Sequence, residues 1–190
     1  MTELLDNQAG DELLEERIID SKPAFKGGFL KVDKVDVILP NGHPAEREVI
    51  RHPGAVAVVA LNDSGEVLLV RQYRTALERV TLEIPAGKLE LGEDPLLAAE
   101  RELEEETGYS AMRLDYLMPV ATAAGYSDEL IHLYMATGLT GGAAHPDDDE
   151  FVAAEWVSLD VLVDSVLDGR IEDSKTVVAA LICDAMRHRL

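Results

Sequence analysis

The chain has 190 residues, 47% of them apolar, so it can form one ordinary domain with a full core and is too apolar to be disordered throughout. Its 37 acidic and 17 basic residues give a formal charge of −20, which argues against partners such as nucleic acid or anionic lipid. A single cysteine excludes an internal disulfide. The sequence has no long apolar run and no signal-like N-terminus, so we expect a cytoplasmic protein with no membrane contact.

Apolar periodicity and turn residues predict the elements in chain order. The acidic start, residues 1–13, is expected to be frayed or weakly helical. Strands are predicted within 14–39, broken near Gly27, and then at 55–61, 67–71, 80–84, 114–120, 130–137 and 151–157. Helices are predicted at 94–108, at 158–169 and at 175–189. The mixture predicts an α/β (α+β) fold in which helices cover both faces of a mixed β-sheet, with a β-rich N-terminal extension.

The helix at 94–108 has strong local signals. Asp94 can cap its N-terminus, Pro95 occupies the favoured first position, and Gly108 supplies the stop. At about 100° per residue, an apolar stripe is expected on one face. Its predicted members are Leu96, Ala99 and Leu103.

Three glutamates, Glu102, Glu105 and Glu106, lie along the flank of this stripe. Like charges one turn apart repel, so the arrangement costs stability unless a cation lies between them. Carboxylate oxygens suit Mg²⁺ or Mn²⁺, which also bind phosphate oxygens. The helix therefore predicts a divalent-metal site for a phosphate-containing substrate, whereas a solvated acidic face is the alternative.

The same stretch resembles the Nudix box of diphosphate hydrolases. The matching positions are Gly87, Glu93, Arg101, Glu102, Leu103, Glu105, Glu106 and Gly108. Tyr109 departs from the aliphatic residue usual in the last position. Segments 69–74, 82–87 and 124–129 resemble the ADP-ribose diphosphatase branch, although Ala124 stands where that branch usually has proline. The resemblance implies a Nudix fold, with residues 1–50 as an extension for dimer and substrate contacts and 51–190 as the hydrolase domain.

By this resemblance, the Ala86 carbonyl joins Glu102, Glu105 and Glu106 in binding two or three Mg²⁺ ions, with Mn²⁺ as an alternative. The implied reaction hydrolyses ADP-ribose to AMP and ribose 5-phosphate. Arg101 is expected to orient the catalytic residues by pairing with Glu93. The general base is expected on a later acidic loop, where Asp148 matches the usual position and Glu150 is the alternative; a solvated acidic turn is the competing interpretation of that loop.

The substrate-binding residues implied by the resemblance lie further from the box: Phe29, Arg47, Glu48, Arg74 and Glu83. Arginines there could hold phosphates, and a glutamate could accept a hydrogen bond from the nucleoside. Phe29 could stack on adenine, although a lone phenylalanine after a turn is more often part of the core. The N-terminal segment is expected to cross to a second copy, which predicts a homodimer with composite sites.

Other functions stay open at this stage. The enzyme could act on other nucleotide sugars, FAD or dinucleotides. A non-catalytic nucleotide sensor with the same fold predicts binding without turnover. An acidic metal buffer predicts tight Ca²⁺ binding, but the chain lacks the regular loop of an EF-hand.

Overall fold

The computed structural model describes residues 10–146 and 150–188. These residues form two compact units. The N-terminal unit contains residues 10–52 together with Ala123–Glu129, and the larger unit contains the remaining described residues.

The N-terminal unit is a three-stranded antiparallel sheet in the order β1-β2-β3, preceded by a 3-10 turn at Asp11–Leu13. Its strands are β1 (Arg17–Lys26), β2 (Lys31–Ile38) and β3 (Pro44–Arg51). The segment 123–129 adds to β3, because Ile50 exchanges backbone hydrogen bonds with Tyr126 and Asp128. The two predicted strands are confirmed, but β3 was missed, since charged residues interrupt the alternation of its apolar residues.

The larger unit has seven strands and three helices among its described residues. The strands are β4 (Ala55–Leu61), β5 (Glu66–Arg74), β6 (Arg79–Glu83), β7 (Ala86–Lys88), β8 (Tyr109–Ala121), β9 (Leu130–Gly141) and β10 (Val152–Ser158). The helices are α1 (Pro95–Thr107), α2 (Leu159–Leu167) and α3 (Ser174–Arg187). The short β7 was missed, because its three residues become a strand only by pairing with β4.

The sheet of this unit has the order β10-β5-β4-β9-β8, with β6 paired to β5 and β7 paired to β4. Strands β4 and β9 run parallel, and the other described pairs of this sheet are antiparallel. Side chains of β4 alternate between two buried clusters, one with α2 and α3 and the other with α1. The predicted mixed sheet with helices on both faces is therefore confirmed.

The acidic helix α1 has the predicted ends. The Asp94 carboxylate accepts a hydrogen bond from the backbone N–H of Leu96 at 2.8 Å, and Gly108 ends the helix with a left-handed φ of 73°. The predicted stripe is wrong at one position, because Leu96 is 39% exposed while Ala98, Ala99 and Leu103 are fully buried.

None of the described helices could span a bilayer. The longest, α3, has 14 residues, and a membrane-spanning helix needs about 20 apolar residues.

Candidate active site

Two of the three glutamates on α1 are buried against the strand that precedes the helix. Glu102 is 8% exposed and Glu106 is 4% exposed, so they do not form the solvated face considered as the alternative. The backbone N–H of Ala86 donates to Glu106 Oε2 at 3.0 Å. The Glu102 carboxylate lies directly on Gly87, where an added Cβ would be 1.9 Å from Glu102 Cδ. Glycine at position 87 is therefore what allows the helix to bring this carboxylate against β7.

Burial makes these carboxylates hard to ionise. It raises the pKa of Glu106 to about 8, helped by the charges of Glu102 and Glu150 and opposed by the Ala86 N–H and Lys175. Burial also raises the pKa of Glu102, against the attraction of Arg101. A nearby cation would reverse both effects, because it would favour the charged carboxylates.

Arg101 neutralises part of this acidic cluster. Its Nε and Nη2 donate to the two oxygens of Glu93 at 3.0 and 3.1 Å, so the predicted pair is present. Its Nη1 donates to Glu102 and to Glu105, both at 2.8 Å. Three carboxylates thus share one guanidinium, and their hydrogen bonds and charges raise the pKa of Arg101. Arg101 therefore connects Glu93 to Glu102 and Glu105, and its predicted orienting role stays a prediction.

Arg74 and Glu83 form a second pair in the same unit. Arg74 Nε and Nη2 donate to the two Glu83 oxygens at 2.8 and 2.7 Å, and Thr81 Oγ1 donates to Oε1 at 2.6 Å. Burial would raise the pKa of Glu83, but Arg74, Lys175 and Thr81 together lower it to about 2. Glu83 is only 3% exposed and holds Arg74 through two hydrogen bonds, and the predicted substrate contacts of both residues stay predictions.

Sequence reasoning missed the residues of α3 that meet this pair. Lys175 donates to Glu83, and also to Asp173 Oδ1 at 2.9 Å. Thr176 Oγ1 accepts a hydrogen bond from the backbone N–H of Ile84 at 2.9 Å. Asp173 before Lys175-Thr176 is a recognisable helix start, but nothing in the sequence connects it to residues 92 positions earlier.

The acidic loop after β9 is only partly described. Asp148 lies outside the described residues, so its predicted role stays a prediction. Glu150 is half-buried, and its charge contributes to raising the pKa of both Glu102 and Glu106, which puts it within electrostatic range of both. The loop begins against α1, since the His145 N–H donates to the Glu105 carbonyl at 2.9 Å.

The remaining predicted substrate residues belong to the N-terminal unit. Phe29 is exposed and makes an edge contact with His52 at 5.3 Å between ring centroids, so it is not part of a core. Arg47 pairs with Glu16, and Glu48 lies opposite Lys34 in the β2–β3 register. Their predicted contacts with substrate stay predictions.

The model of the NUDIX domain family matches residues 51–181. The chain belongs to the Nudix hydrolase family. It is 43% identical to an ADP-ribose pyrophosphatase of Bacillus subtilis over 87% of this chain and 91% of the relative. It is 46% identical to a methanol dehydrogenase activator of Bacillus methanolicus over 94% of this chain and 99% of the relative.

The chain also resembles a second ADP-ribose pyrophosphatase and a solved structure. The chain is 36% identical to an ADP-ribose pyrophosphatase of Mycobacterium tuberculosis, over 88% of this chain and 83% of the relative. The crystal structure of an ADP compounds hydrolase superimposes with a TM-score of 0.80, covering 93% of this chain and 97% of that one. At 23% identity, the superposition shows that the two share the Nudix fold.

Nudix hydrolases generally need divalent metal ions, and the donor set on α1 fits one. Glu102, Glu105 and Glu106 offer hard oxygen ligands of the kind that Mg²⁺ prefers. Over residues 10–146 and 150–188, no three acidic, histidine or cysteine side chains are already grouped as ligands of one ion. In this arrangement Glu102 and Glu105 accept hydrogen bonds from Arg101, and Glu106 accepts one from the Ala86 N–H.

Proposed function

We propose that this Nudix hydrolase uses Mg²⁺ to hydrolyse the diphosphate bond of nucleoside diphosphate sugars, with ADP-ribose as its substrate. The observation that carries the proposal is the buried pair Glu102 and Glu106 packed against Ala86 and Gly87 within the matched domain. The choice of ADP-ribose is supported by the two ADP-ribose pyrophosphatases, at 43% and 36% identity over most of the chain.

In this proposal Glu102, Glu105, Glu106 and the Ala86 carbonyl hold the metal. Bound Mg²⁺ would neutralise the diphosphate and lower the pKa of a coordinated water. Arg74 is available for a phosphate oxygen, because its Nη1 makes no hydrogen bond with any described residue while Nε and Nη2 are held by Glu83. Arg101 holds the Glu102 and Glu105 carboxylates through hydrogen bonds in the orientation needed for the metal.

The proposed chemical step is attack of water on one phosphorus of the diphosphate. Glu150 accepts a proton from the water as the new P–O bond forms and the bridging P–O bond breaks. AMP and ribose 5-phosphate leave as products. Glu150 is the preferred base because its charge already acts on both Glu102 and Glu106, whereas Asp148 is the alternative.

A substrate panel tests the proposed reaction. Release of AMP and ribose 5-phosphate would be measured with Mg²⁺ for ADP-ribose, and the corresponding products for UDP-glucose, GDP-mannose, FAD and diadenosine diphosphate. We expect ADP-ribose to give the highest kcat/KM by at least about tenfold, and Glu106→Gln to remove turnover while the protein stays folded. A higher kcat/KM for a UDP- or GDP-sugar would refute the substrate, and unchanged turnover in Glu106→Gln would refute the metal ligands.

The identity of the base can be tested separately. Glu150→Gln is expected to lower kcat by about 100- to 10,000-fold, the usual range for general base catalysis, with little change in KM. Asp148→Asn is the matched control and is expected to retain most activity. The reverse pattern would assign the base to Asp148.

The proposed enzyme works as a homodimer in which Phe29, Arg47 and Glu48 of one copy serve the catalytic centre of the other. Support comes from β1, an exposed edge strand with apolar side chains at Ile18 and Phe25. Sedimentation should give a dimer, and Ile18→Glu should shift it to a monomer with reduced activity. A fully active monomeric wild type would refute the composite site.

Cys183 is a buried free thiol, and burial raises its pKa to about 11, so the thiol is unreactive. This is compatible with the reducing cytoplasm, where we place the protein.

A second candidate function is activation of a partner dehydrogenase, favoured by the 46% identity to the methanol dehydrogenase activator. A rise in methanol dehydrogenase activity on addition of this protein, abolished by Glu106→Gln, would support it; no rise would remove it.

A further inference from the structure

Lys175 is a buried cation at the first turn of α3. It is 6% exposed, and its ammonium contacts the carboxylates of Glu83 and Asp173. A buried ammonium group costs several kcal/mol of folding free energy unless it is paired and hydrogen-bonded. The carboxylates of Glu83 and Asp173 are therefore both needed to keep Lys175 buried. Lys175 was not among the residues predicted from the sequence to belong to the site.

Glu83 is the shared partner of Lys175 and Arg74. Its Oε1 accepts from Arg74 and Thr81, and its Oε2 accepts from Arg74 and Lys175. Two oxygens with four donors leave the carboxylate no alternative rotamer with the same hydrogen bonds. The direction of the Arg74 guanidinium is therefore fixed by a carboxylate that Lys175 helps to hold.

The first turn of α3 is joined to the last residue of β6 and to the residue that follows it. Lys175 holds Glu83, and Thr176 accepts from the Ile84 N–H at 2.9 Å. Two residues further on, the Ala86 N–H donates to Glu106. Lys175 thus lies where Glu83, which holds Arg74, comes close to the residues that contact Glu106 of α1.

We propose that Lys175 is a positioning residue that fixes Glu83 and, through it, the Arg74 guanidinium in the orientation that receives a substrate phosphate. The role rests on the proposed function, since Arg74 has a ligand only if a diphosphate binds. Without the ammonium, Glu83 keeps only Arg74 and Thr81, and it can follow the arginine into other rotamers. The Nη1 of Arg74, which makes no hydrogen bond within the described part of the chain, then loses its fixed direction.

The test is a double-mutant cycle on KM and kcat for ADP-ribose. Lys175→Met removes the charge with little change in side-chain length, and we expect KM to rise about tenfold with kcat within about threefold of wild type. Arg74→Ala raises KM on its own, and adding Lys175→Met to it should raise KM by less than twofold further. Lys175→Arg keeps a cation at this position and should restore KM to within about threefold of wild type.

Arg187→Met is the matched control, because Arg187 lies at the other end of α3 and pairs with Asp160 and Asp184. It should leave KM unchanged. If Lys175→Met does not fold, Lys175→Gln takes its place in the same cycle. The inference is overturned if Lys175→Met leaves KM unchanged. It is also overturned if the rise in KM of the double variant equals the product of the rises in the two single variants Lys175→Met and Arg74→Ala. A wild type that hydrolyses no nucleotide sugar refutes the proposed function and this role with it, so the two failures are distinguishable.

Discussion

Replacing Gly87 with alanine should disable the proposed metal site while leaving the fold intact. The added Cβ would lie 1.9 Å from Glu102 Cδ and 2.0 and 2.2 Å from its oxygens. Carbon atoms pack comfortably at about 3.5 Å, so the carboxyl must retreat by about 1.5 Å. Gly87 does not have a positive φ, so alanine brings no backbone strain and the effect comes from this contact alone.

The size of the effect follows from the displacement. A catalytic group misplaced by about 1 Å can cost about 100-fold in rate, so we expect kcat/KM of Gly87→Ala to fall at least about 100-fold, or about 2.7 kcal/mol of transition-state stabilisation. ADP-ribose hydrolysis with saturating Mg²⁺ would measure it, with thermal unfolding recorded in parallel.

Gly65→Ala is the control for this prediction. Gly65 has a φ of 79° and open space around it, so alanine there should cost about 1 kcal/mol of stability and leave kcat/KM unchanged. Near-normal turnover of Gly87→Ala would contradict the role given to Glu102. A loss of turnover equal in both variants would attribute the effect to general destabilisation instead.

Three further changes should have measurable effects. The folded-state pKa of Glu83 is about 2, below its ordinary 4.5. The ionised carboxylate therefore contributes about 3 kcal/mol to the free energy of unfolding above pH 4.5, and this contribution is lost as the pH falls towards 2. Denaturant unfolding at pH 2–6 should show a shallower pH dependence for Glu83→Gln than for the wild type. Thr176→Val leaves the Ile84 N–H without its acceptor and should lower the free energy of unfolding by about 1–3 kcal/mol, whereas Thr176→Ser should retain most of it. EDTA should abolish turnover, and added Mg²⁺ should restore it. Mg²⁺ should also raise the unfolding temperature of the wild type, because a ligand that binds only the folded state stabilises that state. No such rise is expected in Glu106→Gln.

The parts of the fold that could be predicted depend on short-range signals. The ends of α1 follow from Asp94, Pro95 and Gly108, which act within one turn of the helix. The strand β4 was predicted with its observed ends because it is apolar throughout and bounded by turn residues. The missed strand β7 depends on a partner strand and on no signal of its own.

The candidate site was predicted in its residue types but not in its surroundings. Helical periodicity placed Leu96 inside and the glutamates along the flank, whereas Glu102 and Glu106 are enclosed. Their burial depends on Gly87 and β7, which no helical period can reveal. Lys175 was invisible for a similar reason, because its partner Glu83 is close only after α3 has packed on the sheet.

Strand β4 carries consequences for how this protein can vary. Its side chains at 55, 57 and 59 enter the cluster that contains Ala179 and Ala180 of α3, and those at 56, 58 and 60 enter the cluster that contains Ala98 and Leu103 of α1. Helix α3, which carries Lys175, and helix α1, which carries the glutamates, therefore pack on opposite sides of the β4 backbone. Enlarging a β4 residue would push one helix or the other away from the catalytic centre, so tolerated changes in this buried strand should nearly conserve volume.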